Sequence, residues 1–301
     1  MPGMRQLVPP LSFASRKGQS GRVGVLGGSA EYTGAPYFAA ISALKLGADI
    51  AHVFCAEEAA QPIKGYSPEI IVHGCLRPGS SKPISQQADE VSKWFPSLTA
   101  LVVGCGLGRD DTLQTVARLV IERAVARRLP LVIDADGLCV VLEYPSCVRG
   151  SNSTVLTPNV NEYSRLVQAH VAGVGVMDSQ RAEELQLLQL CQALGGPVIV
   201  RKGPNDLLSD GTQLLIVDEQ GSPKRSGGQG DVLAGCLGTL LSWGSAPQAT
   251  ESASMLAAWT GCMLTRRFSA TAFARHGRAM TASDMVQTIG PVFEGFCASR
   301  S

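Results

Sequence analysis

This 301-residue sequence predicts an α/β fold in which helices cover both faces of a central, mostly parallel sheet. Three observations carry the prediction. Short apolar runs without polar alternation recur from residue 21 onward, as in strands buried on both faces. Stretches of helical spacing separate those runs, the order expected of repeated βαβ units. Glycine- or acid-bearing turns close several of the runs, at the strand ends where open parallel sheets bind ligands.

The elements follow in order. Strand-like runs are Arg22–Leu26, Ile50–Cys55, Glu69–Val72, Ala100–Val103, Leu131–Ile133, Val155–Leu156 and Val198–Arg201. Helical spacing falls on Ala35–Leu46, Gln86–Trp94, Thr112–Arg128, Glu162–Ala169 and Ser179–Leu194. Asp206–Ser209 and Gln213–Val217, joined around Asp210-Gly211, predict a hairpin, because Asp-Gly supplies the positive φ of a tight turn. Gly228–Trp243, Gln248–Arg267 and Ala282–Cys297 complete the helices. Small Ala234, Gly235 and Gly238 let the first of these pack closely. No repeat or linker divides the chain, so residues 1–20 are expected to be an N-terminal extension and 21–301 a single domain.

Composition narrows the function. Hydrophobic residues make up 45% of the chain and charged residues 17%, enough for a substantial core. A formal charge of +1 leaves no broad basic field for nucleic acid or an acidic membrane, so an anionic ligand needs a local site. Nine cysteines stand singly, with no Cys-x-x-Cys pair, and the four histidines are far apart. That argues against zinc and suits a reducing compartment. No apolar run reaches the ~18 residues of a membrane span. Arg5, Arg16 and Lys17 without acidic neighbours hint at an organelle leader, but Pro9-Pro10 interrupts any amphipathic helix. The expectation is a cytoplasmic protein, with a mitochondrial location as the alternative. Oligomeric state is left open, and a homo-oligomer is compatible.

The sharpest motif is Ser226-Gly227-Gly228-Gln229-Gly230-Asp231, followed at once by an apolar helix. Glycines let backbone N–H groups converge on an anion, and the helix N-terminus adds its positive dipole end. Asp231 can face the same anion and accept a hydroxyl proton; the plainer reading is a helix cap. Lys202-Gly203-Pro204-Asn205-Asp206 follows a strand, where a lysine reaches a nucleotide phosphate, though Gly-Pro-Asn-Asp also suits a surface turn. Gly104-Cys105-Gly106-Leu107-Gly108-Arg109-Asp110 allows a flat ligand or phosphate close to the backbone, or is a strand-to-helix turn capped by Asp110 or Asp111. In Thr157-Pro158-Asn159-Val160-Asn161-Glu162-Tyr163, amides and a carboxylate suit a polar ligand or hydrated magnesium, unless Asn159 or Asn161 merely caps a helix. Asp134-Ala135-Asp136-Gly137 adds a carboxylate, with Asp136 a candidate cap. Each loop is ambiguous alone; together they are expected to converge on one cleft. Gly24-Val25-Leu26-Gly27-Gly28 is not a dinucleotide fingerprint, because its spacing is wrong, and no Walker loop is present. His52, His73, His170 and His276 are expected to pack or lie at the surface.

On these motifs the sequence resembles the ATP-dependent (S)-NAD(P)H-hydrate dehydratase family in its eukaryotic form, within the ribokinase-like superfamily. Glu31-Tyr32-Thr33-Gly34-Ala35-Pro36-Tyr37-Phe38-Ala39-Ala40 is the segment most particular to that family. Val8-Pro9-Pro10-Leu11, Gly21–Gly28, Leu46-Gly47-Ala48-Asp49, Asp134–Leu138 and the loops above extend the match over almost the whole chain. The resemblance implies a three-layer αβα sandwich and an ATP-dependent hydro-lyase. Its substrates are NADHX and NADPHX, whose ring hydroxyl is phosphorylated and then eliminated as phosphate, with magnesium required. It implies Asp231 as base and hydrate contact, with Gly106 and Asn159, Val160, Asn161, Glu162, Tyr163, Ser164 and Arg165 as further hydrate positions. For ATP it implies Lys202, Gly203, Pro204, Asn205 and Asp206, and Gly221, Ser222, Pro223, Lys224, Arg225, Ser226, Gly227, Gly228, Gln229 and Gly230. Metal ligands are not defined. Two departures stand out: Cys105 replaces a usual proline, expected to loosen the backbone, and Arg201 replaces an uncharged residue before Lys202. A small-molecule kinase for a hydroxymethylpyrimidine or hydroxyethylthiazole would keep the same loops, and a non-catalytic nucleotide-binding regulator would keep all but the need for Asp231.

Overall fold

A computed structural model of the chain describes residues 7–172, 180–244 and 253–298. Among them nine strands form one sheet in the order β3-β2-β1-β4-β5-β6-β7-β8-β9. The strands are β1 (Arg22–Leu26), β2 (Ile50–Ala56), β3 (Ile70–Leu76), β4 (Ala100–Val103), β5 (Leu131–Ile133), β6 (Thr154–Leu156), β7 (Val198–Arg201), β8 (Asp206–Ser209) and β9 (Leu214–Val217). Strands β1 to β7 pair in parallel, and β8 and β9 add an antiparallel hairpin at one edge. Gly211 turns that hairpin with φ +88°, as Asp210-Gly211 predicts. Strand order reverses at β1, which sits between β2 and β4, so the loops after β1 and β4 face one another at the switch point.

The helices are α1 (Gly34–Leu46), α2 (Glu57–Tyr66), α3 (Ile84–Ser92), α4 (Asp111–Ala126), α5 (Gly137–Glu143), α6 (Val160–His170), α7 (Gln180–Leu194), α8 (Gln229–Gly244), α9 (Ala253–His276) and α10 (Ala282–Ala298). Alternate strand residues feed two separate cores. Val23, Val25, Val53, Val102, Val132, Val155, Val198 and Val200 meet α1, α2 and α8 to α10 on one face. Leu26, Phe54, Leu101, Val103, Leu131, Ile133, Leu156 and Ile199 meet α3 to α7 on the other. Both faces being covered explains the unbroken apolar runs. The valine face takes α8 at short range: a Cβ on Gly235 would lie 2.0 Å from the Ala39 carbonyl oxygen, and one on Gly238 3.0 Å from Val23 and Val102.

Two helices depart from the predicted pattern. Helix α2 contains Pro62 and Gly65, which hide its periodicity, and α5 has only 7 residues. Strand β3 runs on to Leu76 and α9 to His276, beyond the predicted ends at Val72 and Arg267. The predicted starts of α7 at Ser179 and of α9 at Gln248 lie outside the described residues.

Candidate active site

A cavity of about 1190 Å³ opens at the carboxyl ends of β5, β6 and β7 and the N-terminus of α8. Its volume exceeds that of most single-ligand pockets. Four of the five predicted loops line it: Asp134-Ala135, Asn159–Glu162, Lys202–Asp206 and Ser226–Asp231. The fifth, after β4, is not part of the lining, but its Cys105 sulfur lies within 4.8 Å of carboxylate oxygens of Asp134 and Asp231, which are.

The glycine loop is built as its composition suggests. Gly228 takes φ +92°, and a Cβ there would approach Ala282 to 2.6 Å. The Gln229 side-chain amide donates to the Lys224 carbonyl at 2.9 Å and to the Ser226 hydroxyl at 3.0 Å, tying the loop down. Helix α8 starts at Gln229, which places Asp231 in its first turn, where N–H groups lack intrahelical partners. Asp231 is half-buried. Burial first, and then the neighbouring Asp134, push its carboxyl up to about 7, while the Cys105 thiol and Lys202 pull the other way.

Lys202 extends from the end of β7 to donate to Asp134 at 2.8 Å. Burial works against its ammonium charge, but Asp134, Glu162 and Asp231 outweigh that and hold the proton more tightly than usual. The turn that follows is no loose surface loop. The Gly203 amide donates to Asp206 at 3.0 Å, and Arg266 of α9 donates to Asp206 at 2.7 Å and to the Pro204 and Gly203 carbonyls at 2.7 and 2.8 Å. The capping alternatives hold in part. Asn159 and Glu162 form a capping box for α6, and Asp110 caps α4. Asp136 makes no cap bond and accepts the Gly108 amide at 2.9 Å.

The expected ATP and hydrate residues divide. Lys202 to Asp206, Gly221 to Pro223, Arg225 to Asp231 and Asn159 to Glu162 line the cavity. Lys224 is outside that lining and serves through its carbonyl. Gly106 is also outside that lining, its carbonyl accepting the Gly28 amide and the Ser29 hydroxyl at 3.1 Å each. Tyr163 turns into the core beneath α6, Ser164 faces solvent, and Arg165 borders a smaller neighbouring cavity of about 60 Å³. The physical reason is helical: 159–165 crosses nearly two turns of α6, so its side chains cannot share one face. The Cys105 backbone is held closely, since a Cβ on Gly27 would meet its carbonyl oxygen at 2.2 Å and the Leu107 amide donates to Gly104 at 3.1 Å. That is the opposite of the loosening expected there. Arg201 is turned from the cavity by an ion pair with Glu183 of α7.

Cys262, Thr265, Arg266 and Ser269 of α9 also line the cavity and were missed in the sequence. The signal was there: Arg266-Arg267 interrupts an otherwise apolar helical stretch. Among the described residues, the one three-group cluster able to take a metal is Cys105, Asp134 and Asp231. It suits magnesium poorly, because one donor is a thiol and Lys202 already occupies Asp134.

The fold is that of the ribokinase-like α/β class, and its cleft combines a glycine loop, an acid in the first helical turn and a lysine. Solved structures share the fold. A ribokinase-like superfamily protein from Enterococcus faecalis gives a TM-score of 0.76 at 19% identity, covering 97% of this chain and 93% of that one. The ADP/ATP-dependent NAD(P)H-hydrate dehydratase from Bacillus subtilis, co-crystallized with ATP/Mg2+, gives 0.70 at 19% identity, covering 97% and 96%. The family described as NAD(P)H-hydrate dehydratase matches residues 23–291, and the chain belongs to it. It is 49% identical to the ATP-dependent (S)-NAD(P)H-hydrate dehydratase of Homo sapiens over 96% of this chain and 82% of that protein. It is 43% identical to the protein of that name from Vitis vinifera, over 99% and 87%.

Proposed function

We propose that this chain uses ATP to dehydrate the S-forms of NADHX and NADPHX, returning NADH and NADPH with release of ADP and phosphate. The observation that carries the reading is Asp231, poised near neutrality in the first turn of α8 and opposite Lys202. A general base is most effective when its proton affinity matches the working pH. Asp231 removes the proton from the ring hydroxyl as that oxygen attacks the γ-phosphorus of ATP. Amides of Gly227 to Gly230 face the charge that builds on the transferring group, a contribution typically worth roughly 2.7–4 kcal/mol per donor. Lys202 supplies a point charge to the same phosphates. The new phosphate ester then leaves as inorganic phosphate while a neighbouring ring carbon loses a proton, restoring the dihydronicotinamide.

ATP is assigned to the side of the cavity formed by Lys202–Asp206 and Gly221–Gly230, and the hydrate to the side of Asn159–Glu162 and Asp231. Glu162 would hold magnesium better than the thiol-containing cluster, and the ion would supply positive charge to the phosphates of ATP. Glu162 Oε2 accepts the Asn159 amide, leaving the other oxygen for the ion's water shell. Residues 21–301 are read as one catalytic domain after an extension of residues 1–20. Among the described residues no helix is long and apolar enough to cross a membrane, and none of the nine cysteines is in a disulfide. That fits the cytosol, or the mitochondrial matrix as the alternative.

The test is an assay of purified protein with ATP, magnesium and NADHX, following ADP, phosphate and the return of NADH absorbance. Stoichiometric ADP, phosphate and NADH support the proposal. ADP with a stable phosphorylated product would favour a small-molecule kinase, and absence of turnover with either hydrate would reject the reading.

A further inference from the structure

We infer that Cys105 is a positioning residue, its buried thiol donating a hydrogen bond to the Asp231 carboxylate and fixing that carboxylate toward the cleft. The inference rests on Asp231 being the base proposed above. Cys105 is fully buried, and its sulfur lies within 4.8 Å of both the Asp231 and Asp134 carboxylates. The loop that carries it cannot easily give way, because Gly27 packs directly on its carbonyl and Gly104 on Asp134. Burial and the two carboxylates raise the thiol well above its ordinary proton affinity, so it stays a donor across the working pH range.

The groups facing Asp231 come from three loops. Asp134 ends β5, Lys202 ends β7, and Cys105 follows β4. Glu162 stands beyond Lys202. Lys202 is engaged with Asp134 at 2.8 Å, and the donors to Asp231 itself are its own backbone amide and the Cys105 thiol, of which the thiol is the side chain that a substitution can remove. A carboxylate without that partner would lose both its orientation and part of the stabilisation of its charged form. A thiol is a weak donor, which keeps the base from being over-stabilised.

The experiment compares Cys105→Ala, Cys105→Val and Cys105→Ser with wild type in kcat, in KM for ATP and hydrate, and in the pH profile of kcat. Valine removes the donor while nearly keeping the volume, so it covers the case in which the alanine variant folds poorly. The expected result for alanine and valine is a roughly 3- to 30-fold loss of kcat, with both KM values within about twofold. Their acid limb should move up by about one pH unit, a tenfold change in proton affinity. Serine, a stronger donor at the same position, should bring the limb back down to the wild-type position or below it. An acid limb unchanged in alanine and valine, or a serine variant that behaves as they do, would overturn the assignment. Inactivity of wild type toward the hydrates would instead reject the proposed function, and normal turnover in Asp231→Asn would reject its base.

Discussion

The base proposed at Asp231 would join two properties that usually conflict, a charge needed for chemistry and an environment that resists charge. Replacing it with asparagine keeps the shape and removes the base, so turnover should fall by roughly 10²–10⁴-fold while ATP still binds. Steady-state kinetics with a separate nucleotide-binding titration checks this. On the proposed role the unprotonated form acts, so kcat/KM for the hydrate should decline as pH falls below about 7. The same shift has a stability sign. The folded state holds this proton more tightly than the unfolded chain, so Asp231 favours folding less as pH rises from the ordinary carboxylate range through about 7. Asp231→Asn should therefore melt a few degrees higher than wild type at pH 8, and no gain there would contradict the burial argument.

Among the elements, α9 organises the cleft from a distance. Arg266 joins Asp206 across 60 residues of sequence and fastens the turn between β7 and β8 by its carbonyls. Arg266→Ala leaves Asp206 buried without its partner and should cost about 3–5 kcal/mol. Urea unfolding measures that loss, and KM for ATP should rise with it. Replacing Arg266 and Asp206 together by apolar residues should recover stability but not the KM.

Long-range contacts of this sort mark what the sequence could not convey. Gly227 to Asp231 and Lys202 announced themselves, because glycine spacing and strand-end position are local features. The Lys202–Asp134 pair spans 68 residues, and nothing local says which of Asp134 and Asp136 turns inward. The burial of Tyr163 is a matter of which side of α6 it takes, which a continuous motif does not state. Helix α2 was hidden by Pro62, which a helix accepts only at some cost in hydrogen bonding.

For the molecule as a whole, the division into a valine face and a leucine-rich face explains how one sheet holds ten helices among the described residues. A second pH-sensitive spot lies outside the lining of the cleft. His52 on β2 meets His73 on β3 at 3.0 Å, beside Phe54 and Trp94. Burial, then His73 and Arg22, lower the proton affinity of His52 to about 4, and burial with Lys93 and Lys64 lowers that of His73. The unfolded chain takes up these protons first. The contribution is thus intact above about 6.5 and is lost as pH falls toward 4, on the order of 3 kcal/mol for His52 at 1.36 kcal/mol per unit. Denaturant midpoints measured from pH 8 to 4 should fall less steeply in His52→Phe than in wild type.

The start of the described chain bears on how the protein can be handled. Leu7 rests against Gly244 at the far end of α8, Gly18 and Ser20 donate to Asp49, and the Trp243 indole donates to the Ser20 carbonyl at 2.7 Å. These anchors occupy the rim where β1 begins, a strand's length or more from the catalytic mouth. A purification tag, fluorophore or surface tether fused to the amino-terminal side would therefore connect to the described chain at Leu7, at the end of the sheet away from the cleft.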